Sequence, residues 1–265
     1  EYELDHLRGY RDSRPVRVGN AAVDQLQLDI YGEIIDSVYL FNKYGAGISH
    51  DAWSDLTRVI EWVMDNWEQD DAGMWEIRDE ARAHTTSRLM CWVAIERMMR
   101  MARQRGLPGD LSAWGRVRDA IYERIMEHSW DEEVGAFMAS EGSSHVDAGV
   151  LLMPLVKFVA PNDPRFLSTL KVIEERLVGD SLVFRYDLGS TTDGLDGPEG
   201  TFSLCSFWYV EALTRAGRLA DARLALEKMF TYANHLGLYA EQVGLTGQQL
   251  GNFPQAFTHL SLISA

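Results

Sequence analysis

The chain has 265 residues, long enough to bury a substantial core, and neither a peptide hormone nor a disulfide-stabilised miniprotein fits this length. Forty acidic and 25 basic residues give a net charge of −15, which disfavours nucleic acids and anionic membranes as partners. No run of about 18 apolar residues occurs, and the first residues lack a signal-peptide pattern. Cys91 and Cys205 lie in apolar helical patterns, which predicts free buried thiols and a cytoplasmic protein.

Apolar residues recur at intervals of three and four along the whole chain, and no alternating stretch has the length of a core strand. The sequence therefore predicts an all-α fold, and without a linker it predicts a single domain over residues 1–265. Asp110 or Ser112 is expected to cap a helix start, and Gly106, Gly179 and Gly217 lie where helices are expected to stop. Nine helices are predicted in chain order, over residues 21–44, 50–68, 84–105, 110–128, 148–159, 164–178, 202–216, 219–234 and 253–264.

A weak internal repeat links the segments that follow four of these helices. Aromatic, acidic and glycine residues occur in this order from Trp67, Trp130 and Tyr239, and Tyr186 occupies the corresponding place in a fourth segment. The four aromatic residues are 63, 56 and 53 residues apart, which is the length of a helical hairpin with its loops. The repeat predicts an α/α toroid whose loops gather around a shared pocket, although each aromatic residue taken singly also fits a plug at a helix end.

Two of these loops carry carboxylates suited to acid–base chemistry on sugars. Glu76 directly follows Trp75, an apolar neighbour that disfavours a charged carboxylate, as a general acid requires. Glu241 follows Tyr239 by two residues and precedes the amide of Gln242. Carbohydrate sites need aromatic faces and carboxylates, but among forty acidic residues this pair also fits two solvated loop acids.

The common sequence signals of other chemistries do not occur. The chain has no Cys-x-x-Cys, no His-Glu-x-x-His, no Gly-x-x-x-x-Gly-Lys-Ser/Thr and no Gly-x-Ser-x-Gly motif. The seven histidines are scattered, and Met98, Met99 and Met101 follow helical spacing, which is typical of core packing. The sequence therefore implies no metal and no organic cofactor.

Four segments together carry a more specific signal. They are GYRDSRPVRVGNAA with QLQLDIYGE in residues 9–33, MWEIR with MCWVA in residues 74–94, DGL, EGTF and CSFW in residues 193–208, and YAEQ with LGNFPQAFTH in residues 239–259. These motifs, in this order, closely resemble the bacterial members of glycoside hydrolase family 15, the glucoamylase, glucodextranase and trehalase group.

The resemblance implies an (α/α)6 barrel, which has twelve helices. The nine predicted helices form only part of such a barrel. It also implies inverting hydrolysis of an α-linked glucose disaccharide or oligosaccharide, with release of β-glucose. Carried over to this chain, Glu76 protonates the glycosidic oxygen and Glu241 removes a proton from the attacking water. The resemblance further implies sugar contacts, or contacts that hold the acids, from Arg14, Arg17, Trp75, Glu199, Phe202 and Trp208.

The chain departs from the family pattern at its start. The N-terminal β-sandwich and the first helices, which carry Trp-Asp-Tyr-Arg and Leu-Arg-Asp segments, are absent from it. We therefore expect the C-terminal part of a catalytic domain, which in isolation has little activity and self-associates or binds a complementary N-terminal piece. The alternatives are a non-catalytic helical module that binds glucan or packs against another chain, and a different activity on the same toroid, such as sugar epimerisation.

Overall fold

The computed structural model describes residues 1–9, 12, 14–78, 80–187 and 199–265, with the backbone alone for Ala21. Helices dominate this described part of the chain, as the periodicity predicts. The α-helices are α1 (Asp29–Tyr44), α2 (His50–Asn66), α3 (Thr85–Arg105), α4 (Leu111–His128), α5 (Leu152–Leu155), α6 (Pro164–Leu177), α7 (Ser203–Arg215), α8 (Leu219–Phe230) and α9 (Ala256–Ser264).

The helix ends follow local chemistry. The Asp110 side chain accepts a hydrogen bond from the Ala113 N–H at 2.9 Å and caps α4, which confirms one predicted start. Gly106 ends α3 with a φ of +64°, a left-handed conformation that glycine adopts without strain. Asp163 caps α6, whose first residue is Pro164. These helix boundaries were predictable because each depends on residues within one turn.

The helices alternate between an inner and an outer layer. Helix α3 packs against α1, against the 3-10 helix Ala148–Leu151 that leads into α5, and against the outer helix α4. Helix α7 packs against α5 and α9 on the inside and against α8 on the outside. Buried residues occupy most positions of α3 and α7, whereas α2, α4 and α8 bury only one face. The core therefore lies between two rows of helices, in the α/α arrangement that the repeat predicts.

The connections between the two layers differ in length at the two ends of the helices. From an inner helix to the next outer helix they are short and cover residues 45–49, 106–110, 156–163 and 216–218. From an outer helix to the next inner helix they are long and cover residues 67–84, 129–147, 178–202 and 231–255. We name the first of the long connections the Glu76 loop and the last the Glu241 loop. Both loops lie at the end of the molecule where the inner helices begin.

Short antiparallel strands occur in the N-terminal segment and in three of the long connections. The strands are β1 (Tyr2–Glu3), β2 (Arg17–Val18), β3 (Trp130–Asp131), β4 (Ala136–Phe137), β5 (Val178–Gly179), β6 (Leu182–Val183), β7 (Thr201–Phe202), β8 (Gln242–Val243) and β9 (Gln249–Leu250). Strands β7, β8 and β9 form one sheet, with Phe202 opposite Gln242 and Gln242 opposite Leu250. This sheet joins the segment before α7 to the Glu241 loop.

The predicted helix over residues 21–44 is wrong in its first eight residues. Ala21–Asp24 form a 3-10 helix, and α1 begins only at Asp29. The intervening backbone bonds to the Glu76 loop instead of to itself, because the Leu26 carbonyl accepts from the Ala72 N–H at 2.9 Å. The prediction over residues 148–159 likewise covers a 3-10 turn and only four α-helical residues.

Cys91 and Cys205 are both buried and free, as predicted. Across the residues that the structure describes, we find no helix with both the length and the apolar character needed to cross a bilayer. One hydrophobic cluster extends from Leu28 at the start of α1 to Ala225 in α8.

Candidate active site

Glu76 lies in a tight turn of the Glu76 loop, shortly before α3. The Glu76 N–H donates to the Gly73 carbonyl at 3.2 Å, and the Ile77 N–H donates to the Ala72 carbonyl at 3.2 Å. Glu76 itself has a φ of +54°, a left-handed conformation that costs a non-glycine residue about 1–3 kcal/mol. The surrounding contacts therefore hold Glu76 in a conformation that it would not adopt alone.

The extended segment before α1 supplies two of these contacts. Asn20 donates from its Nδ2 atom to Oε2 of Glu76 at 3.0 Å, while its own Oδ1 accepts from the Ala22 N–H at 3.0 Å. The Ala22 contact fixes the orientation of the amide, so that its N–H donors face Glu76. Gln25 donates from Nε2 to the Ile77 carbonyl at 2.9 Å. The segment thus holds both the side chain of Glu76 and the backbone that follows it.

A buried polar layer lies beneath this loop. Oδ2 of Asp71 accepts from the Leu28 N–H and from the Ser87 hydroxyl, each at 2.8 Å. Burial raises the pKa of Asp29 to about 6, and the negative charges of Asp71 and Glu76 act in the same direction. Within the described ranges, no three His, Cys, Asp or Glu side chains are placed to hold a metal ion together.

Trp75 is the centre of an aromatic cluster. Its ring centroid lies 5.5 Å from that of Phe202 in an edge-to-face arrangement and 6.1 Å from that of Trp208 on α7. Its indole N–H donates to Oδ2 of Asp147 at 2.7 Å. The Arg185 guanidinium carbon lies 5.5 Å from the Trp75 ring centroid. The structure therefore brings together three of the predicted sugar-contact residues, Trp75, Phe202 and Trp208.

Arg185 connects a fourth predicted residue to this cluster. Its guanidinium forms a hydrogen-bonded ion pair with Glu199, in which both side chains are nearly 90% buried. The same guanidinium carbon lies 5.1 Å from the ring centroids of both Tyr186 and Phe202. The Arg185 guanidinium therefore connects Glu199 to the aromatic cluster.

Glu241 is held by the residue pair Gly251 and Asn252. Its Oε2 accepts from the Asn252 N–H at 2.8 Å and from the Asn252 side-chain amide at 2.9 Å. A Cβ atom on Gly251 would lie 2.7 Å from Oε2 and 2.9 Å from Cβ of Glu241, so any larger residue here would displace the Glu241 side chain. No described residue donates a hydrogen bond to Oε1 of Glu241, so this oxygen can accept a proton.

A chain of contacts connects Glu76 to Glu241. Glu76 follows Trp75, whose ring contacts Phe202 at 5.5 Å between centroids. Phe202 pairs with Gln242 across β7 and β8, and the Ser203 N–H donates to the Glu241 carbonyl at 2.9 Å. Trp75 and Gln242, the chain neighbours of the two glutamates, are therefore connected through Phe202.

Arg14 and Arg17 lie on the N-terminal segment, and neither is part of the aromatic cluster as the structure describes it. Arg17 belongs to β2 and forms ion pairs with Glu1 at 3.6 Å and with Glu3 at 3.3 Å. Arg14 is exposed and lines a shallow depression together with Asp5 and Val16. Their role in sugar binding stays a prediction. The acidic DGL motif at 193–195 lies outside the described residues.

Three contributors to the site were not singled out from the sequence. Asp147 directly precedes a predicted helix, Arg185 precedes Tyr186 of the aromatic repeat, and Asn252 lies inside a quoted motif without an assigned role. Asp147 contacts Trp75, 72 residues away, and Arg185 contacts Glu199, 14 residues away. Asn252 is closer to its partner, Glu241, which lies 11 residues away in the same loop. Only the glycine and asparagine that follow Leu250 could have signalled a local turn around the Glu241 side chain.

The chain is similar to known proteins along its whole length. The sequence model described as Glycosyl hydrolases family 15 matches residues 1–265. The chain belongs to this family. Within it, the trehalase of Mycobacterium tuberculosis is 43% identical over 266 residues, which cover 100% of this chain and 39% of that protein. The trehalase of Thermoplasma acidophilum is 40% identical and covers 99% of this chain and 45% of that protein. This family 15 chain thus spans less than half the length of these curated relatives.

Solved structures show the same fold. A bacterial glucoamylase complexed with acarbose superposes with a TM-score of 0.73 at 15% identity, over 90% of this chain and 40% of that chain. The shared fold is the (α/α)6 barrel, and this family 15 chain contains only part of it. The predicted incomplete toroid is therefore confirmed.

Gly251 provides a test of how Glu241 is held. In the full-length protein, Gly251→Ala is expected to lower kcat at least about tenfold, because the new Cβ must displace the Glu241 carboxylate. Gly237→Ala is the matched control, since Gly237 has a φ of +76° in the same loop but nothing within 4 Å of the added Cβ. Both variants are expected to lower the melting temperature by a similar amount, and only Gly251→Ala is expected to lower kcat. Equal kcat in the two variants would contradict this role of Gly251.

Proposed function

We propose that the protein containing this chain hydrolyses α-glucosidic bonds with inversion at the anomeric carbon, and that Glu76 is its general acid and Glu241 its general base. The contact of Trp75 with Phe202 and the pairing of Phe202 with Gln242 support this proposal most directly, because they connect the two loops that carry the carboxylates. An inverting pair must leave room for water, with carboxyl groups roughly 6.5–9.5 Å apart. Two loops that meet across one end of the inner helices can provide such a gap.

The hydrogen bonds suggest how each carboxylate performs its step. Asn20 donates to one oxygen of Glu76, so the other oxygen carries the proton that passes to the glycosidic oxygen as the bond breaks. Asn252 occupies Oε2 of Glu241 with two donors, so Oε1 takes the proton from the attacking water. The water oxygen then bonds to the anomeric carbon from the face opposite the leaving sugar, which gives inversion.

The aromatic cluster supplies the sugar-binding surface in this proposal. Trp75 and Trp208 are partly exposed and offer apolar ring faces to the C–H face of a glucose unit. The buried Phe202 packs against Trp75, and Glu199 contributes a carboxylate that is paired with Arg185. Arg14 and Arg17 would reach sugar hydroxyls from the N-terminal segment. The reaction needs two carboxylates and water, so no cofactor enters it.

Trehalose is the substrate to test first, because the relatives with 43% and 40% identity are trehalases. The test is hydrolysis of trehalose, maltose and isomaltose by the full-length protein. Turnover of at least one of these sugars is expected, and it must disappear when Glu76 and Glu241 are both replaced by glutamine. No turnover of any α-linked glucose sugar would contradict the proposal. A cytoplasmic location stays a prediction, supported by two unpaired buried thiols.

The exposed faces of the first and last helices favour a second candidate, a non-catalytic module that packs against another chain. On α1, Ile30, Ile34 and Phe41 are 47%, 47% and 57% exposed. On α9, Phe257, Leu260 and Ile263 are 66%, 60% and 80% exposed. Their spacing forms one apolar stripe on each helix, and such stripes drive association when another surface can cover them.

The isolated chain 1–265 is therefore expected to self-associate at micromolar concentration and to hydrolyse trehalose poorly. Sedimentation or light scattering measures the association, and Ile34→Glu or Ile263→Glu is expected to shift the chain toward monomer. Leu245→Glu is the matched control, since Leu245 is 83% exposed in the turn between β8 and β9. A monomeric chain 1–265 that hydrolyses trehalose efficiently would contradict this expectation.

A further inference from the structure

Asp147 is a buried carboxylate to which the sequence assigns no catalytic role. The residue is only 6% exposed, and it precedes the 3-10 helix Ala148–Leu151 at the start of an inner helix. Its Oδ1 accepts from the Gly149 N–H at 2.6 Å, and its Oδ2 accepts from the Trp75 indole N–H at 2.7 Å. Among the residues that the structure describes, each oxygen therefore has one donor, and one of the two donors comes from a residue 72 positions away.

The Asp147 turn is also in close contact with the Glu76 loop. A Cβ on Gly149 would lie 2.4 Å from Thr86 and 3.1 Å from the sulfur of Met74, the residue before Trp75. On its other side, the Ala148 N–H donates to the Arg185 carbonyl at 2.8 Å. The turn thus sits between the Glu76 loop and the segment that carries Arg185.

The hydrogen bond that fixes the Trp75 indole also restrains the next residue, Glu76. Trp75 and Glu76 share a peptide bond, and Glu76 is held in a left-handed conformation with a φ of +54°. The indole hydrogen bond fixes one end of this turn, and Asn20 fixes the Glu76 carboxylate at the other. Loss of the indole contact would let the Trp75 ring rotate and the turn relax.

We propose that Asp147 is a positioning residue: through its hydrogen bond to the Trp75 indole it holds the Glu76 carboxylate where it can protonate the leaving group. This proposal rests on the assignment of Glu76 as general acid. Asp147 touches no reacting atom and acts only through Trp75. Misplacement of a catalytic group by about 1 Å can cost about a hundredfold in rate, so the expected loss is large although Asp147 is remote from the bond that breaks.

Asp147→Asn is the informative variant, because it keeps the volume of the side chain and removes one acceptor. The amide has a single acceptor oxygen, which the nearby Gly149 N–H is expected to take in a local turn. The amide N–H2 then faces the indole N–H of Trp75, and the contact is lost. Asp163→Asn is the matched control, since Asp163 caps α6 by accepting from the Arg165 N–H at 2.8 Å and makes no contact with Trp75.

The experiment measures kcat and KM of the full-length variants on trehalose and on an aryl α-glucoside with an activated leaving group. For Asp147→Asn, kcat on trehalose is expected to fall about 10- to 100-fold, while kcat on the aryl glucoside falls less than about threefold, because that leaving group needs little protonation. Asp163→Asn is expected to change neither value. If Asp147 had a purely structural role, its replacement would lower kcat on both substrates by the same factor, and that result would overturn the proposal.

A double-mutant comparison tests the route through the indole. Trp75→Phe removes the N–H donor, so adding Asp147→Asn to it is expected to cause no further loss in kcat on trehalose. Losses that multiply would overturn the proposal. If Asp147→Asn folds poorly, Trp75→Phe alone tests the same hydrogen bond, and it is expected to lower kcat on trehalose more than kcat on the aryl glucoside. A failure of the proposed function can be distinguished from a failure of this proposal. If Glu76 is not the general acid, Glu76→Gln lowers kcat on trehalose and on the aryl glucoside by the same factor, independently of the result for Asp147→Asn.

Discussion

Replacing Glu241 by glutamine is expected to lower kcat on trehalose by about 10²- to 10⁴-fold in the full-length protein while leaving sugar binding nearly intact. The two Asn252 donors that now bind Oε2 of Glu241 would bind the amide oxygen of glutamine in the same place. The amide nitrogen then replaces Oε1, the oxygen that would accept the proton from water. The variant keeps the shape of the site and loses its base.

Two measurements check this prediction. Steady-state kinetics gives kcat, and calorimetric titration with a non-hydrolysed thio-linked α-glucoside gives the dissociation constant. Glu227→Gln is the control, because Glu227 lies on the outer helix α8 with a side chain that is 56% exposed. A Glu241→Gln variant that keeps more than about a tenth of its turnover would show that Glu241 is not the base.

Replacing Glu76 by glutamine is expected to have an effect of similar size that depends on the leaving group. Trehalose needs a proton on its glycosidic oxygen, so kcat is expected to fall about 10²- to 10⁴-fold. An aryl α-glucoside with an activated leaving group departs with little protonation and is expected to lose less than about tenfold. Asn20→Ala removes the donor to Oε2 of Glu76 and is expected to show the same selectivity with a smaller loss.

The comparison between the two substrates decides the role of Glu76. Glu133→Gln is the control, because Glu133 is exposed in the loop between β3 and β4, at the same end of the molecule. Losses of equal size on trehalose and on the aryl glucoside in Glu76→Gln would contradict general-acid catalysis and would indicate a role in binding.

The helical framework was predictable because it depends on local patterns. Helix α2 begins at residue 50 as predicted, and α4 begins one residue after its expected cap, Asp110. The residues before α1 show the limit of this reasoning, since Ala22, Val23 and Leu26 have helical spacing but the backbone after residue 24 bonds to the Glu76 loop. A contact between segments more than 40 residues apart overrides the local preference there.

The candidate site was only partly predictable for the same reason. The resemblance to the family predicted roles for Glu76, Glu241, Trp75, Arg14, Arg17, Glu199, Phe202 and Trp208. The structure brings Trp75, Phe202 and Trp208 into one cluster. Asp147 was missed because its role depends on an indole 72 residues away. Arg185 pairs with Glu199 across 14 residues, part of which lies outside the described ranges, so no local spacing could reveal this pair.

The stereochemistry of the first product tests the central claim most directly. Proton NMR during the first minutes of trehalose hydrolysis by the full-length protein, before the glucose anomers equilibrate, distinguishes the α anomer from the β anomer. Glu76 as acid with Glu241 as base predicts that the glucose unit attacked by water appears first as the β anomer, while the leaving unit appears as the α anomer. Release of both units as α-glucose would require a covalent intermediate and would contradict this assignment.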